Sequence, residues 1–326
     1  MRNWSEVPVG RRTGPADKPS DRPSDKPSDT GADERRPPSF APRKPRRSMD
    51  DLVVPDAVRD RIELALAQLD HHDVLYREWN LRKIDPYRSG AALNFYGPPG
   101  TGKSLAAEAI AERRGSPLID VNYAEIESKY VGDTPKNIVA CFREAERRQA
   151  VLVFNEADSI LGSRLSNVTQ SSDHSVNVSR AVMLSQLDDF AGLVVFTTNF
   201  PRNYDAAFVR RILVHVRFDL PDEPTRRRLW ASLVPAEVPR AEPLDLTALA
   251  ASSDGLSGGD MVNAVKAAAT RAVTRSGEDR VLRTEDLLAE IDAVVLARAD
   301  VGKAPSEPPR VVAAERVGLD AVPEAS

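Results

Sequence analysis

The chain has 326 residues, 41% of them hydrophobic and 29% charged, with a formal net charge of -4. This is the composition of a globular protein, large enough for one sizeable domain or two modest ones, and its balance gives no general drive toward nucleic acid or anionic membranes. The single cysteine, Cys141, excludes an intrachain disulfide. The N-terminal stretch MRNWSEVPVG lacks the apolar core of a secretory signal, and no apolar run approaches the length of a membrane span, so a cytoplasmic protein without membrane insertion is expected.

Residues 1–48 are dominated by proline and charge, with Asp-basic-Pro-Ser repeating in ADKPSDRPSDKPSD. Such a segment holds too little apolar surface to offset its ordering entropy, and it is expected to be a disordered arm. From 49 to 221 apolar runs alternate with amphipathic helix patterns. The runs ALNFYG, PLIDVN, AVLVFN, GLVVFTTN and LVHVRFDL read as strands, and SLAAEAIAERRG reads as a helix ended by glycine. This alternation predicts an α/β fold, a parallel sheet with helices on both faces. Cys141, inside the helical pattern NIVACFREAERR, reads as a small core residue. His71 and His72 are adjacent in QLDHHDVLY and read as helix-surface residues without metal-ligand spacing. From 222 to 300 the patterns are helical throughout (DEPTRRRLWASLV, LDLTALAASS, SGGDMVNAVKAAATRAV, RTEDLLAEIDAVVLAR), which predicts a small all-helical lid domain. Residues 301–326 are expected to form a flexible tail.

GPPGTGKS at 97–104 follows the first core strand and opens a helix, the context in which this pattern means a phosphate-binding loop. Backbone N–H groups of Gly97, Pro98, Pro99, Gly100, Thr101 and Gly102, prolines excepted, turn toward phosphate oxygens. Lys103 brings charge to the β- and γ-phosphates, and Ser104 offers its hydroxyl to a metal ion. ATP and Mg2+ are therefore the expected ligands. Further on, VLVFNEADSI (151–160) has the pattern of a buried strand that delivers acidic groups to a sheet edge, with an amide, Asn155, in the first acidic place.

With these motifs in order, residues 49–297 resemble an AAA+ ATPase of the AAA subgroup, that of spastin, katanin and related unfoldases, including bacterial single-ring members. The resemblance rests on GPPGTGKS as Walker A, SKYVGDTPKNI as a pore-loop segment, VLVFNEADSI as a variant Walker B, FTTN as sensor 1, YDAAFVRRI as the arginine-finger segment, and GLSGGDM at the start of the lid. It implies a ring, usually a hexamer, with ATP at subunit interfaces. Glu156 would orient the attacking water, and Asn199 would sit between that water and the γ-phosphate. Arg210 and Arg211 match the fingers donated by a neighbour, and because adjacent residues diverge on a helix, at least one is expected to act. Tyr130 and Val131 would grip a polypeptide in the pore, and the polar loop RLSNVTQSSDHSVN (164–177) lies where a second pore loop would be. Gly258 and Gly259 stand where some AAA+ branches carry an arginine, and their small size lets backbone approach the nucleotide. At position 155 the family normally has Asp. The resemblance implies an ATP-driven protein remodeller acting through a central pore, with an ATP-binding assembly switch of little or no hydrolysis as the alternative. Nucleic acid is disfavoured as a partner, since the pore segment offers only Lys129 and Lys136.

Overall fold

The computed structural model describes residues 40–85, 90–122, 126, 133–162, 171–199 and 204–300, with backbone alone for Ser159 and for 171–175. The five apolar runs are the five strands of one parallel sheet: β1 (Ala91–Tyr96), β2 (Leu118–Asn122), β3 (Val151–Asn155), β4 (Leu193–Thr198) and β5 (Val214–Arg217), in the order β2-β3-β4-β1-β5. The near-continuous apolar character of the central strands β3, β4 and β1 follows from burial on both faces, whereas the edge strands β2 and β5 each expose a charged residue, Asp120 and Arg217. Successive side chains point to opposite sides, so Leu93, Phe95, Val153 and Val195 face one core while Leu152, Phe154, Val194 and Phe196 face the other.

Helices α1 (Asp56–Asp70) and α2 (Lys103–Arg113) cover the first face through Ile62, Leu66, Ala106 and Ile110. Helices α3 (Asp133–Arg148) and α5 (Ser171–Asp189) cover the second through Ile138, Phe142, Met183 and Leu184, and the short α4 (Asp158–Leu161) follows β3. Phe154 stacks on Phe196 with ring centroids 5.5 Å apart, between the strands and that helical layer. Cys141 is buried among them, and burial pushes its thiol pKa up to about 12, so it behaves as an apolar side chain. After β4 the short helix α6 (Ala206–Arg211) leads into β5.

The C-terminal region is helical, as expected, with α7 (Glu223–Leu233), α8 (Leu246–Ser252), α9 (Gly258–Val273) and α10 (Thr284–Asp300) around Trp230, Leu249, Met261 and Ile291. Its ends are well capped. Asp222 accepts from the Thr225 N–H at 3.0 Å, and Ser257 with Asp260 forms a capping box at the start of α9. Arg226 is buried but paired: it donates to the carbonyls of Ala250 and Pro221 and meets Asp254 at 2.9 Å.

Three expectations shift. Residues 40–48, assigned to the arm, pack on the sheet: Arg43 exchanges two backbone hydrogen bonds of 2.8 Å with Leu118, and Phe40 packs against the core. Seven residues of the 164–177 loop, 171–177, are the first two turns of α5, because Ser and Asp at a helix start read as polar loop in sequence. His72 is partly buried rather than at the surface, stacked on Tyr76 at 4.5 Å. Among the described residues no helix is long and apolar enough to cross a membrane, and no cluster of His, Cys, Asp and Glu could hold a metal.

Candidate nucleotide site

The carboxyl ends of β1, β3 and β4 and the start of α2 meet at one edge of the sheet, the edge at which open parallel sheets bind ligands. They frame a cavity of about 630 Å³ lined by Pro99–Ser104, Asn155, Glu156, Thr197–Asn199 and Gly258–Gly259. The distant motifs of the sequence are thereby brought together, with Pro98 bordering the loop and Gly97 at its base.

The loop between β1 and α2 turns through left-handed backbone at Gly100 (φ 76°) and Gly102 (φ 100°). At Gly100 two requirements coincide. Its φ disfavours any side chain, and an added Cβ would overlap the Ser257 hydroxyl of the lid. The lid rests on the loop, since the Gly259 N–H donates to the Gly100 carbonyl at 3.0 Å and a Cβ on Gly259 would come within 3.2 Å of Gly100 Cα. Thr101 ties the loop internally, its hydroxyl donating to the Pro98 carbonyl at 2.8 Å.

Lys103 is buried and its ammonium donates to the carbonyls of Gly97 (2.8 Å) and Pro98 (2.7 Å). Burial pulls its pKa down to about 8, against a smaller upward pull from the Asp158 carboxylate. A desolvated cation with loop N–H groups around it is a donor set for phosphate oxygens. Beside it the cavity wall becomes apolar, with Leu52, Val54, Val58, Leu229, Leu233 and Val262, which suits a flat heteroaromatic base. Segment 49–54 is held there by Arg59, which donates to the Leu52 and Met49 carbonyls. ATP therefore fits the residues present. So does Mg2+, since the Ser104 hydroxyl and the Asn155 amide oxygen are the hard oxygen donors it prefers.

Asn155, at the end of β3, accepts through Oδ1 from Ser104 Oγ (3.1 Å) and Thr197 Oγ1 (3.0 Å), while its Nδ2 faces Asp120 Oδ1 at 3.4 Å. The chain then turns sharply. Glu156 takes a left-handed conformation (φ 53°), held by the Ala157 N–H donating to the Thr197 carbonyl at 3.0 Å, and its side chain is exposed at the cavity. Asn199 follows β4 into the same cavity. Thr198 donates to Asp158, and behind it Tyr204, Asn94 and His215 form a mostly buried polar chain, in which burial raises the Tyr204 pKa and lowers that of His215.

Arg210 and Arg211 are not brought to this cavity; both lie in the last turn of α6. The structure separates them. Arg211 grips Asp188 of α5 with two bonds, 2.7 and 2.8 Å, and that contact raises its pKa. Arg210 is exposed and makes no ion pair with a described residue. Tyr130 and Val131 lie outside the described residues.

Sequence reasoning passed over the apolar half of the cavity, whose only signal is the short run LVVP before α1. It also passed over Asp120, Thr197 and Asp158, which become neighbours of the site through strand pairing.

Residues 93–220 match the family model described as ATPase family associated with various cellular activities (AAA). The chain is 34% identical over 203 residues to spastin of Drosophila erecta and of Drosophila melanogaster, a match covering 58% of this chain and 26% of each relative. Spastin of Drosophila willistoni is likewise 34% identical over 203 residues, covering 58% of this chain and 25% of the relative. The chain thus spans about a quarter of the length of the curated relatives it matches.

Proposed function

Because residues 93–220 form a domain of the AAA ATPase family, we propose that the chain binds and hydrolyses ATP between subunits of a ring, hexameric by the family's habit, and remodels a protein substrate. The observation that carries this reading is the desolvated Lys103 on a glycine loop, closed over by the lid glycines and faced by Glu156 across one cavity.

In this reading the loop N–H groups and Lys103 hold the phosphates, and Leu52, Val54 and Val262 hold the base. Mg2+, when bound, would be held by Ser104 and would neutralise charge on the β- and γ-phosphates. Glu156 accepts a proton from the attacking water and aims it, and Asn199 holds that water by hydrogen bonding. Among the described residues the cavity is lined by no arginine, and Lys103 is its one cation, so the remaining positive charge is supplied in trans by Arg210 of a neighbouring subunit; such a cation is worth roughly 10³ to 10⁵ in rate. Arg211 holds α6 in place for it. Tyr130 and Val131 are proposed to grip the polypeptide, an aromatic ring packing on any backbone without sequence preference; this part rests on the resemblance alone. A cytoplasmic location is proposed from the cysteine usage, since a single cysteine forms no intrachain disulfide that would call for an oxidising compartment.

The amide at 155 favours a second reading, an ATP-binding assembly switch, because a neutral oxygen holds the metal's water shell less strongly than a carboxylate. The test is steady-state ATP turnover of wild type and Glu156→Gln, with and without an unfolded protein, beside nucleotide binding. Turnover stimulated by the unfolded protein and lost in Glu156→Gln with binding retained supports the remodeller. Binding without turnover at saturating Mg2+ supports the switch, and absence of binding removes both.

A further inference from the structure

An asparagine in place of an aspartate brings a difficulty an aspartate does not have: one end of its side chain accepts and the other donates. Turned one way, Asn155 presents oxygen to Ser104; turned the other, it presents an NH2 group, which repels a cation and its water shell. The two hydroxyls beside it do not decide the matter, since Ser104 and Thr197 Oγ atoms each donate or accept equally well. The third neighbour does. Asp120, one strand away on β2, places Oδ1 at 3.4 Å from Asn155 Nδ2, and an ionised carboxylate only accepts.

We propose that Asp120 is a positioning residue for the metal-phosphate end of the site: its carboxylate captures the Asn155 NH2 group and so locks the amide oxygen toward Ser104. The inference rests on the nucleotide reading above and concerns the same site. Asp120 is itself fixed. Its other oxygen, Oδ2, receives Arg43 Nε at 2.7 Å and Nη2 at 2.5 Å, and the same guanidinium reaches Glu108 of α2 at 2.7 Å. Arg43 also offsets part of the Asp120 charge, its one positive charge being shared with Glu108. The contribution assigned to Asp120 is the directional hydrogen bond to Asn155. Together Asp120 and Asn155 restore an oxygen-presenting group at a position where a lone amide would be free to turn.

The test is a coupling measurement. Affinity for a fluorescent ADP is titrated against Mg2+ concentration for wild type, Asp120→Ala, Asn155→Asp and the double variant, with thermal unfolding of each protein in the absence of nucleotide. In the wild-type background, Asp120→Ala should raise the Mg2+ concentration that gives half-maximal tightening about fivefold, the effect of one hydrogen bond. In the Asn155→Asp background the same change should alter it less than about twofold, because a carboxylate presents oxygen whichever way it turns. The melting temperatures should differ between the backgrounds. Asp120→Ala should lower that of the wild-type chain by more than that of the Asn155→Asp chain, where loss of the Arg43 pair is offset by removal of a carboxylate facing a carboxylate. Arg43→Ala, which keeps the acceptor but loosens it, should raise the Mg2+ requirement by clearly less than Asp120→Ala does. If the alanine variant does not fold, Asp120→Asn reports the same coupling with a smaller amplitude. An equal Mg2+ shift in both backgrounds, or one reproduced by Arg43→Ala, overturns the proposal while leaving nucleotide binding intact. A wild type that binds no nucleotide refutes the site reading instead.

Discussion

With Lys103 proposed to hold the nucleotide phosphates, affinity should titrate with its charge. In the free protein burial holds its pKa near 8, where an exposed lysine would stay charged to above pH 10. Phosphate oxygens bind the ammonium and not the amine, so the bound state retains the proton and raises the pKa. The sign follows: affinity is flat below the free-protein pKa and falls above it, approaching tenfold per pH unit, so that from about pH 7 to about pH 9 it drops roughly tenfold. Calorimetric titration with ADP, which excludes turnover, in buffers of different ionisation enthalpy reads both consequences. Binding should take up close to one proton near pH 9 and about a tenth of one near pH 7. Lys103→Arg, charged throughout, should bind with no such dependence. A folded protein whose ADP affinity and proton uptake are unchanged over this range would refute the assignment of Lys103 as a desolvated phosphate ligand.

The lid contact predicts a difference between neighbouring glycines: Gly100→Ala, with positive φ and an overlap at Ser257, should lose nucleotide binding, whereas Gly258→Ala, whose Cβ comes only within 3.4 Å of the Gly100 carbonyl, should bind within a few-fold of wild type by the same ADP titration. Arg210→Ala should abolish ATP turnover and leave the melting temperature unchanged, while Arg211→Ala should cost about 0.5–1 kcal/mol of stability, read by chemical denaturation, through loss of a half-exposed ion pair. Mixing Arg210→Ala with Glu156→Gln subunits should recover part of the turnover if the cation acts across an interface. Phe154→Ala, deep in the core against Phe196 and Phe142, should cost about 3–5 kcal/mol in the same denaturation assay.

The sheet and the loop at 97–104 were legible because their signals are local. The central apolar runs are too continuous for half-exposed strands, and a glycine loop sits between one of them and a helix. What stayed hidden depends on partners far apart in sequence. Asp120 lies 35 positions from Asn155 and meets it because β2 pairs in register with β3. Arg211 is distinguished from Arg210 only by Asp188, on another helix. Arg43 lies in a stretch of charge and proline without periodicity, and its order comes from Glu108, Asp120 and the backbone of Leu118. The start of α5 was obscured for a different reason: serines and aspartate favour loops and helix N-termini alike, so local propensity does not separate the two.

The left-handed turn at Glu156 sets folding and chemistry against each other. A side chain other than glycine, asparagine or aspartate in that conformation stores on the order of 1–2 kcal/mol. Glycine or asparagine there would relieve that strain and remove the carboxylate proposed to aim water. A search for hardier variants by heat challenge alone would therefore favour the very exchange that silences turnover, and directed evolution of this chain has to screen for activity alongside survival at 156.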